Sequence, residues 1–154
     1  MRVILPGSYD PVTLGHLDII RRASEMYEEV FVVVFINPEK NYTFSLSDRV
    51  SMLMLATEDL SNVLVSFSLG RVVDYMREHN IEKIIKGIRN DDDLVYERAQ
   101  EEYNFRHGGY PTEYLYSKEE FLTISSTLAR QKWKNGESLD GILPKKVIEF
   151  IENH

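Results

Sequence analysis

VFVVVFI, Val30 to Ile36, is an unbroken apolar run of β-branched and aromatic residues with no polar alternation. Such a run suits a strand buried on both faces, as in the middle of a parallel sheet. Outward from it, short apolar runs alternate with segments of helical period. Upstream, Val3–Leu5 predicts a strand that Pro6-Gly7 ends, and Leu14 to Tyr27 predicts a helix with Leu17, Ile20 and Ala23 or Ser24 on one face. Downstream, Asn37-Pro38 breaks the strand, and Ser45 with Asp48 reads as a capping box opening a helix to about Leu60. Val63–Val65, Lys83–Lys86 (closed by Gly87) and Glu113–Tyr116 predict three more strands, with helices over Val72–His79 and Leu94–Phe105. Ser125 or Ser126 caps a helix that ends near Asn135-Gly136, and Pro144 opens a last one to Glu152. Strands alternating with helices mean βαβ units, hence right-handed crossovers and a parallel sheet covered on both faces.

The chain has 154 residues, 43% of them hydrophobic, which is the size of a single domain over residues 1–154. Its 18 basic and 25 acidic residues leave a net charge of −7, which argues against a non-specific nucleic-acid binder. With no cysteine there can be no disulfide, thiolate metal site or cysteine nucleophile. After Met1-Arg2 only Val3, Ile4 and Leu5 are apolar before Pro6, so no secretory signal is visible. The longest apolar run, Val30 to Ile36, is far short of the ~20 residues that span a bilayer. The expectation is a cytoplasmic protein with neither nucleic acid nor membrane as partner.

In open parallel sheets, ligands sit beyond the carboxyl ends of the strands. The unusual polar residues fall there: Gly7 to His16, Asn37 to Tyr42 and Gly87 to Asp93. The first carries the strongest signal, PGSYDPVTLGH over Pro6 to His16. It is neither a P-loop nor a G-x-G-x-x-G turn. Gly7 permits close backbone approach, Ser8 offers a hydroxyl, and Gly15 keeps the next approach open. His16 falls in the first turn of a helix, where orphan N–H groups and the dipole favour phosphate. The same dipole lowers a histidine's pKa, so His16 is expected to be a neutral hydrogen-bond donor.

Thr13-Leu14-Gly15-His16 resembles the motif of the HxGH-type nucleotidyltransferases in its T-x-G-H variant. More closely, the chain is similar to the bacterial phosphopantetheine adenylyltransferase family over about Arg2 to Lys146. NPEK (Asn37 to Lys40) looks like that family's x-P-x-K, and FSLSDRV (Phe44 to Val50) follows in place. KGIR (Lys86 to Arg89) stands for R-G-[LI]-R, DLVYE (Asp93 to Glu97) for D-[FL]-x-Y-E, and TISST (Thr123 to Thr127) for I-S-S-[ST]. Any one of these is weak; their order along one short chain is specific.

The resemblance implies an α/β, Rossmann-like fold with a five-stranded parallel sheet flanked by helices. It implies transfer of AMP from ATP to 4′-phosphopantetheine, giving dephospho-coenzyme A and pyrophosphate, with Mg²⁺ bound through the nucleotide phosphates and no protein residue as a metal ligand. Carried over, the catalytic group is His16, Ser8, Lys40 and Arg89, and His16 helps to stabilise the transition state. Ser8, Tyr9, His16, Gly87, Ile88, Arg89 and Glu97 contact ATP. Phe121, Leu122, Thr123 and Ile124 close over the nucleotide, while Ser125, Ser126 and Thr127 present N–H and hydroxyl groups to phosphate. Ser8, Lys40 and Lys86 hold the phosphate side of phosphopantetheine, with Val72 near the pantetheine arm. A homohexamer and feedback inhibition by coenzyme A are implied as well. Ser8 stands where Thr is usual and keeps the hydroxyl; Tyr9 replaces Phe. Lys86 stands where Arg is usual, keeping the charge and losing the bidentate fork.

Other residues have plainer readings. Asp91-Asp92-Asp93 reads as a solvated turn, and Arg98, Glu101, Glu102 and Arg106 as one solvated helix face with i,i+4 pairs. Helical spacing places Phe105 in the core, and Trp133 reads as packing. Two competing functions remain at this level. One is a relative using CTP or nicotinate mononucleotide, against which stand Thr13 in place of His and the TISST sequence. The other is a non-catalytic nucleotide sensor, against which stand Ser8, His16, Lys40 and Arg89.

Overall fold

A computed structural model describes residues 1–154. Its five strands are β1 (Arg2–Gly7), β2 (Glu29–Phe35), β3 (Val63–Ser68), β4 (Lys83–Ile88) and β5 (Thr112–Tyr116). They form one parallel sheet in the order β3-β2-β1-β4-β5. The helices are α1 (Leu14–Met26), α2 (Leu46–Ala56), α3 (Val72–Glu78), α4 (Asp91–Gly108), α5 (Ser126–Lys134) and α6 (Lys145–Glu152), with a 3₁₀ turn at Glu119–Phe121. The expected α/β parallel sheet is therefore present.

β2 is buried on both faces, as its sequence demands. Val30, Val32 and Val34 join the larger core, shared with α1, α2, α5 and α6. Phe31 and Val33 point the other way, into a smaller core with Tyr75 and Met76 of α3. The strand order reverses between β1 and β4, and these two are in register only at Val3↔Lys83 and Ile4↔Ile84. A doubly wound sheet has its ligand crevice at such a reversal. β1 runs on through Pro6, which was expected to end it. Beyond Ile4 it pairs with β2 alone, so a residue lacking an N–H is tolerated there.

Other boundaries moved for local reasons. α4 begins at Asp91 instead of Leu94, because the Asn90 side chain accepts from the Asp93 N–H at 2.9 Å. Asp91 to Asp93 thus form an acidic first turn, which suits the positive end of the helix. α2 stops at Ala56 where Leu60 was expected; the Thr57 hydroxyl closes it on the Leu53 carbonyl at 2.8 Å. Pro144 occupies the N-cap position, one residue ahead of the helix. Phe105 was expected in the core and is 63% exposed; Asn104 is the buried residue of α4. The face predicted as solvated carries its ion pairs, Arg98–Glu101 and Arg106–Glu102. Trp133 packs on Phe44 with ring centroids 5.0 Å apart.

Gly87 is required by packing. A Cβ there would lie 2.7 Å from Cγ1 of Ile19, so α1 lies directly on the backbone of β4. Gly87→Ala should destabilise the protein by about 1–3 kcal/mol through overpacking. Urea unfolding measures this, and an unchanged midpoint would contradict the contact.

Candidate functional site

A cavity of about 400 Å³ opens between the carboxyl ends of β1 and β4. Its wall takes residues from three distant stretches of the chain. Gly7, Tyr9, Thr13 and His16 come from the first motif, Lys86, Gly87 and Arg89 from the end of β4, Asp93 and Glu97 from α4, and Ile124 to Thr127 from the start of α5.

The T-x-G-H spacing has a direct physical meaning. Thr13 is the N-cap of α1, and its hydroxyl accepts from the His16 N–H at 3.2 Å. The His16 ring reaches back, and its Nδ1 accepts from the Thr13 N–H at 3.0 Å. This is a capping box in which histidine takes the place of the usual Glu or Gln. Because Nδ1 accepts from a backbone N–H, the neutral ring carries its proton on Nε2. Burial pushes the His16 pKa down to about 4, and the Arg89 charge adds to the shift. The ring is a neutral donor as its place in the first turn suggests, but desolvation, not the helix dipole, is what lowers its pKa. A ¹⁵N titration should therefore show the His16 ring neutral, protonated on Nε2, down to about pH 5. Protonation near its unperturbed pKa of about 6.5 would contradict this.

Tyr9 supports the ring edge-on at a centroid distance of 5.1 Å. Its backbone is left-handed at φ 48°, and its hydroxyl donates to the Leu5 carbonyl at 2.9 Å. Burial raises the pKa of that hydroxyl. Tyr9 is thus a buried wall of the site.

Both cations of the cavity have carboxylate partners. Lys86 pairs with Glu97 at 3.3 Å. Arg89 Nε donates to Asp93 at 3.1 Å, and the Arg89 backbone N–H donates to the same carboxylate at 2.9 Å. Burial acts to raise the Asp93 pKa, and these bonds outweigh it and hold the carboxyl below its ordinary value. No group of three or more His, Asp or Glu side chains is placed to hold a metal ion.

Most of the remaining sequence-predicted residues lie near this centre, while Lys40 and Val72 are not part of its wall. Ser8 sits between two wall residues with its carbonyl accepting from Arg49 at 3.0 Å. Ile88 is buried, and its carbonyl accepts from the Ser117 N–H. Phe121 packs on the larger core, while Leu122 and Thr123 are exposed before the buried Ile124. Ser125 caps α5, accepting from the Leu128 N–H at 3.0 Å. Lys40 stands on an exposed turn after β2, outside the cavity wall. Val72 opens α3 on the opposite face of the sheet.

Sequence reasoning missed the bonds that hold these segments together. The Ser126 hydroxyl donates to the Pro11 carbonyl at 2.8 Å, and Arg130 donates to the Asp10 carbonyl at 2.9 Å. The late TISST motif is thereby tied to the first. Asp10 and Arg49, both buried, were assigned no role. The signal that could have exposed the Thr13–His16 box was the three-residue spacing already used for Ser45 and Asp48.

Fold and site together define a nucleotide-handling α/β protein, and residues 4–132 match the cytidylyltransferase-like family. The phosphopantetheine adenylyltransferases of Corynebacterium efficiens and Clostridium novyi are each 39% identical to the chain, covering 99% of it and 96% of their own length. That of Thermobifida fusca is 36% identical, over 97% of the chain and 92% of its own length. A solved Vibrio parahaemolyticus structure, provisionally designated a nicotinate-nucleotide adenylyltransferase, superposes with a TM-score of 0.76 over 99% of the chain and 91% of its own. At 17% identity it bears on the fold alone. The chain belongs to the phosphopantetheine adenylyltransferase family of cytidylyltransferase-like enzymes.

Proposed function

We propose that the chain joins ATP to 4′-phosphopantetheine, giving dephospho-coenzyme A and pyrophosphate. The observation that carries this reading is the neutral His16 ring, held by Thr13 in the crevice that Lys86 and Arg89 also line. A 4′-phosphate oxygen attacks the α-phosphorus of ATP. As that P–O bond forms, the bond from the α-phosphorus to the β-phosphate oxygen breaks, and pyrophosphate leaves with the electron pair. A phosphomonoester with a second pKa of about 6 is mostly a dianion at pH 7, so no general base is needed. The task is to hold two polyanions in line and to meet the charge that develops.

In this reading His16 donates from Nε2 to an α-phosphate oxygen, where a neutral donor adds no fixed charge. Lys40 and Lys86 take the acceptor phosphate, Ser8 touches both substrates, and Arg89 faces the nucleotide phosphates. Glu97, Gly87, Ile88 and the Phe121–Thr127 segment take the rest of ATP. The N–H groups at the start of α5 suit phosphate. Mg²⁺ would neutralise the leaving pyrophosphate when bound. Lys86 and Arg89 keep N–H donors beyond those used by Glu97 and Asp93, and these are free to meet phosphate. By family resemblance alone, Val72 is proposed for the pantetheine arm, at a position outside the cavity wall. By family alone, the chain is further proposed to be a cytoplasmic homohexamer inhibited by coenzyme A; exposed Leu64, Phe67, Val95 and Phe105 are side chains an assembly could cover. No helix is long and apolar enough to cross a membrane.

Pyrophosphate release from ATP and Mg²⁺ tests the reading. Release should depend on 4′-phosphopantetheine and fail with nicotinate mononucleotide or CTP substituted for the respective substrate. ATP binding without release under any acceptor would favour a nucleotide sensor.

A further inference from the structure

The FSLSDRV segment has no part in the chemistry above, yet it holds a buried charge. Arg49 is 2% exposed, and its bonds go to carbonyls instead of a carboxylate. A desolvated guanidinium is costly unless its donors are well used. Here Nε donates to the Phe44 carbonyl at 3.1 Å and Nη1 to the Ser8 carbonyl at 3.0 Å. The guanidinium carbon also lies 3.9 Å from the centre of the Tyr42 ring. One side chain therefore spans the end of the Lys40 loop, residues 37–44, and the turn that carries Ser8.

Asp10, 4% exposed, makes the same span from the other side. Its two carboxylate oxygens accept from the Thr43 and Phe44 N–H groups at 2.9 Å each. The loop is also closed on itself. The Asn37 N–H donates to the Tyr42 hydroxyl at 2.8 Å, and the Lys40 N–H donates to the Asn37 carbonyl at 3.0 Å. An exposed lysine is a mobile point charge; fixing its loop at both ends sets where that charge can reach.

We propose that Arg49, acting with Asp10, is a positioning residue that sets the Lys40 loop in register with the Ser8 turn, so that the acceptor phosphate meets the α-phosphorus in line. The proposal rests on the adenylyl-transfer reading. Arg49 is not part of the cavity wall, and it acts through the backbone it holds. Lysine cannot replace it, because an ammonium cannot bond both carbonyls in a fixed fork while stacking on Tyr42.

The test is a double-mutant cycle on the full chain, with steady-state constants for both substrates. In Arg49→Lys, the KM for 4′-phosphopantetheine should rise by on the order of tenfold or more, while that for ATP stays within about twofold. Lys40→Ala should then cost much less in the Arg49→Lys background than in the unmodified chain, because coupled residues are non-additive. A merely structural role would lower the active fraction and kcat, leave both KM values unchanged and leave the Lys40→Ala cost undiminished; that result overturns the proposal. So does a Lys40→Ala variant with no effect in the unmodified chain. If Arg49→Lys does not fold, Tyr42→Phe serves in its place. It removes only the bond from Asn37 and should raise the acceptor KM a few-fold; an unchanged acceptor KM counts against the proposal. Failure of the function itself is read separately, as absence of acceptor-dependent pyrophosphate release by the unmodified chain.

Discussion

His16→Ala should lower turnover by on the order of 10²–10³ or more, with little change in the KM for ATP. Loss of one preorganised donor aimed at developing charge has an effect of that size. The ring is well prepared for that role. Its orientation and tautomer are set by the Thr13 N–H on Nδ1, and burial keeps it uncharged across the working pH range. The structural cost of the substitution is modest, on the order of 1–2 kcal/mol, for the Thr13 contacts to Nδ1 and the edge-on Tyr9 packing. Thermal unfolding of the variant should therefore stay close to that of the unmodified chain while pyrophosphate release collapses. Near-normal turnover would remove His16 from the mechanism.

Asp10→Ala should add a large loss of stability to any effect on the acceptor KM. Its carboxylate is buried and accepts from two backbone N–H groups of the Lys40 loop. Hydrogen bonds to a charged group contribute about 1.5–3 kcal/mol each, and the alanine variant leaves both donors without a partner. A loss of about 3–5 kcal/mol follows, lowering Tm by roughly 6–20 °C at ~2–4 °C per kcal/mol. Asp10→Asn keeps one accepting oxygen and should lose less. Calorimetry would contradict the account if Asp10→Ala melted within about 2 °C of the unmodified chain.

What could be read from the sequence had a local pattern behind it. Val30 to Ile36 announced a strand buried on both faces, and residues of β2 do feed both cores. The alternation of strands and helices then placed the site beyond the carboxyl ends, where Gly7, His16, Gly87 and Arg89 come together. Helix ends were displaced where a side chain, such as Asn90 or Thr57, closes the backbone. Phe105 was misplaced because α4 has little amphipathic pattern and packs only lightly.

The bonds that tie the site together had no local signature. Arg49 meets Ser8 from 41 residues away, and Arg130 meets Asp10 from 120. The resemblance could identify FSLSDRV as a motif, but only the fold reveals what its arginine holds. The Lys86–Glu97 pair is similar: each residue was assigned a ligand, and their contact with each other was not foreseen.

The central claim is direct adenylyl transfer, and following the label from [α-³²P]ATP tests it most directly. With Mg²⁺ and 4′-phosphopantetheine, the label should move into dephospho-coenzyme A, with one unlabelled pyrophosphate released per product and none of the label retained on the protein. Label bound covalently to the chain, or found in ADP, would contradict the in-line reaction.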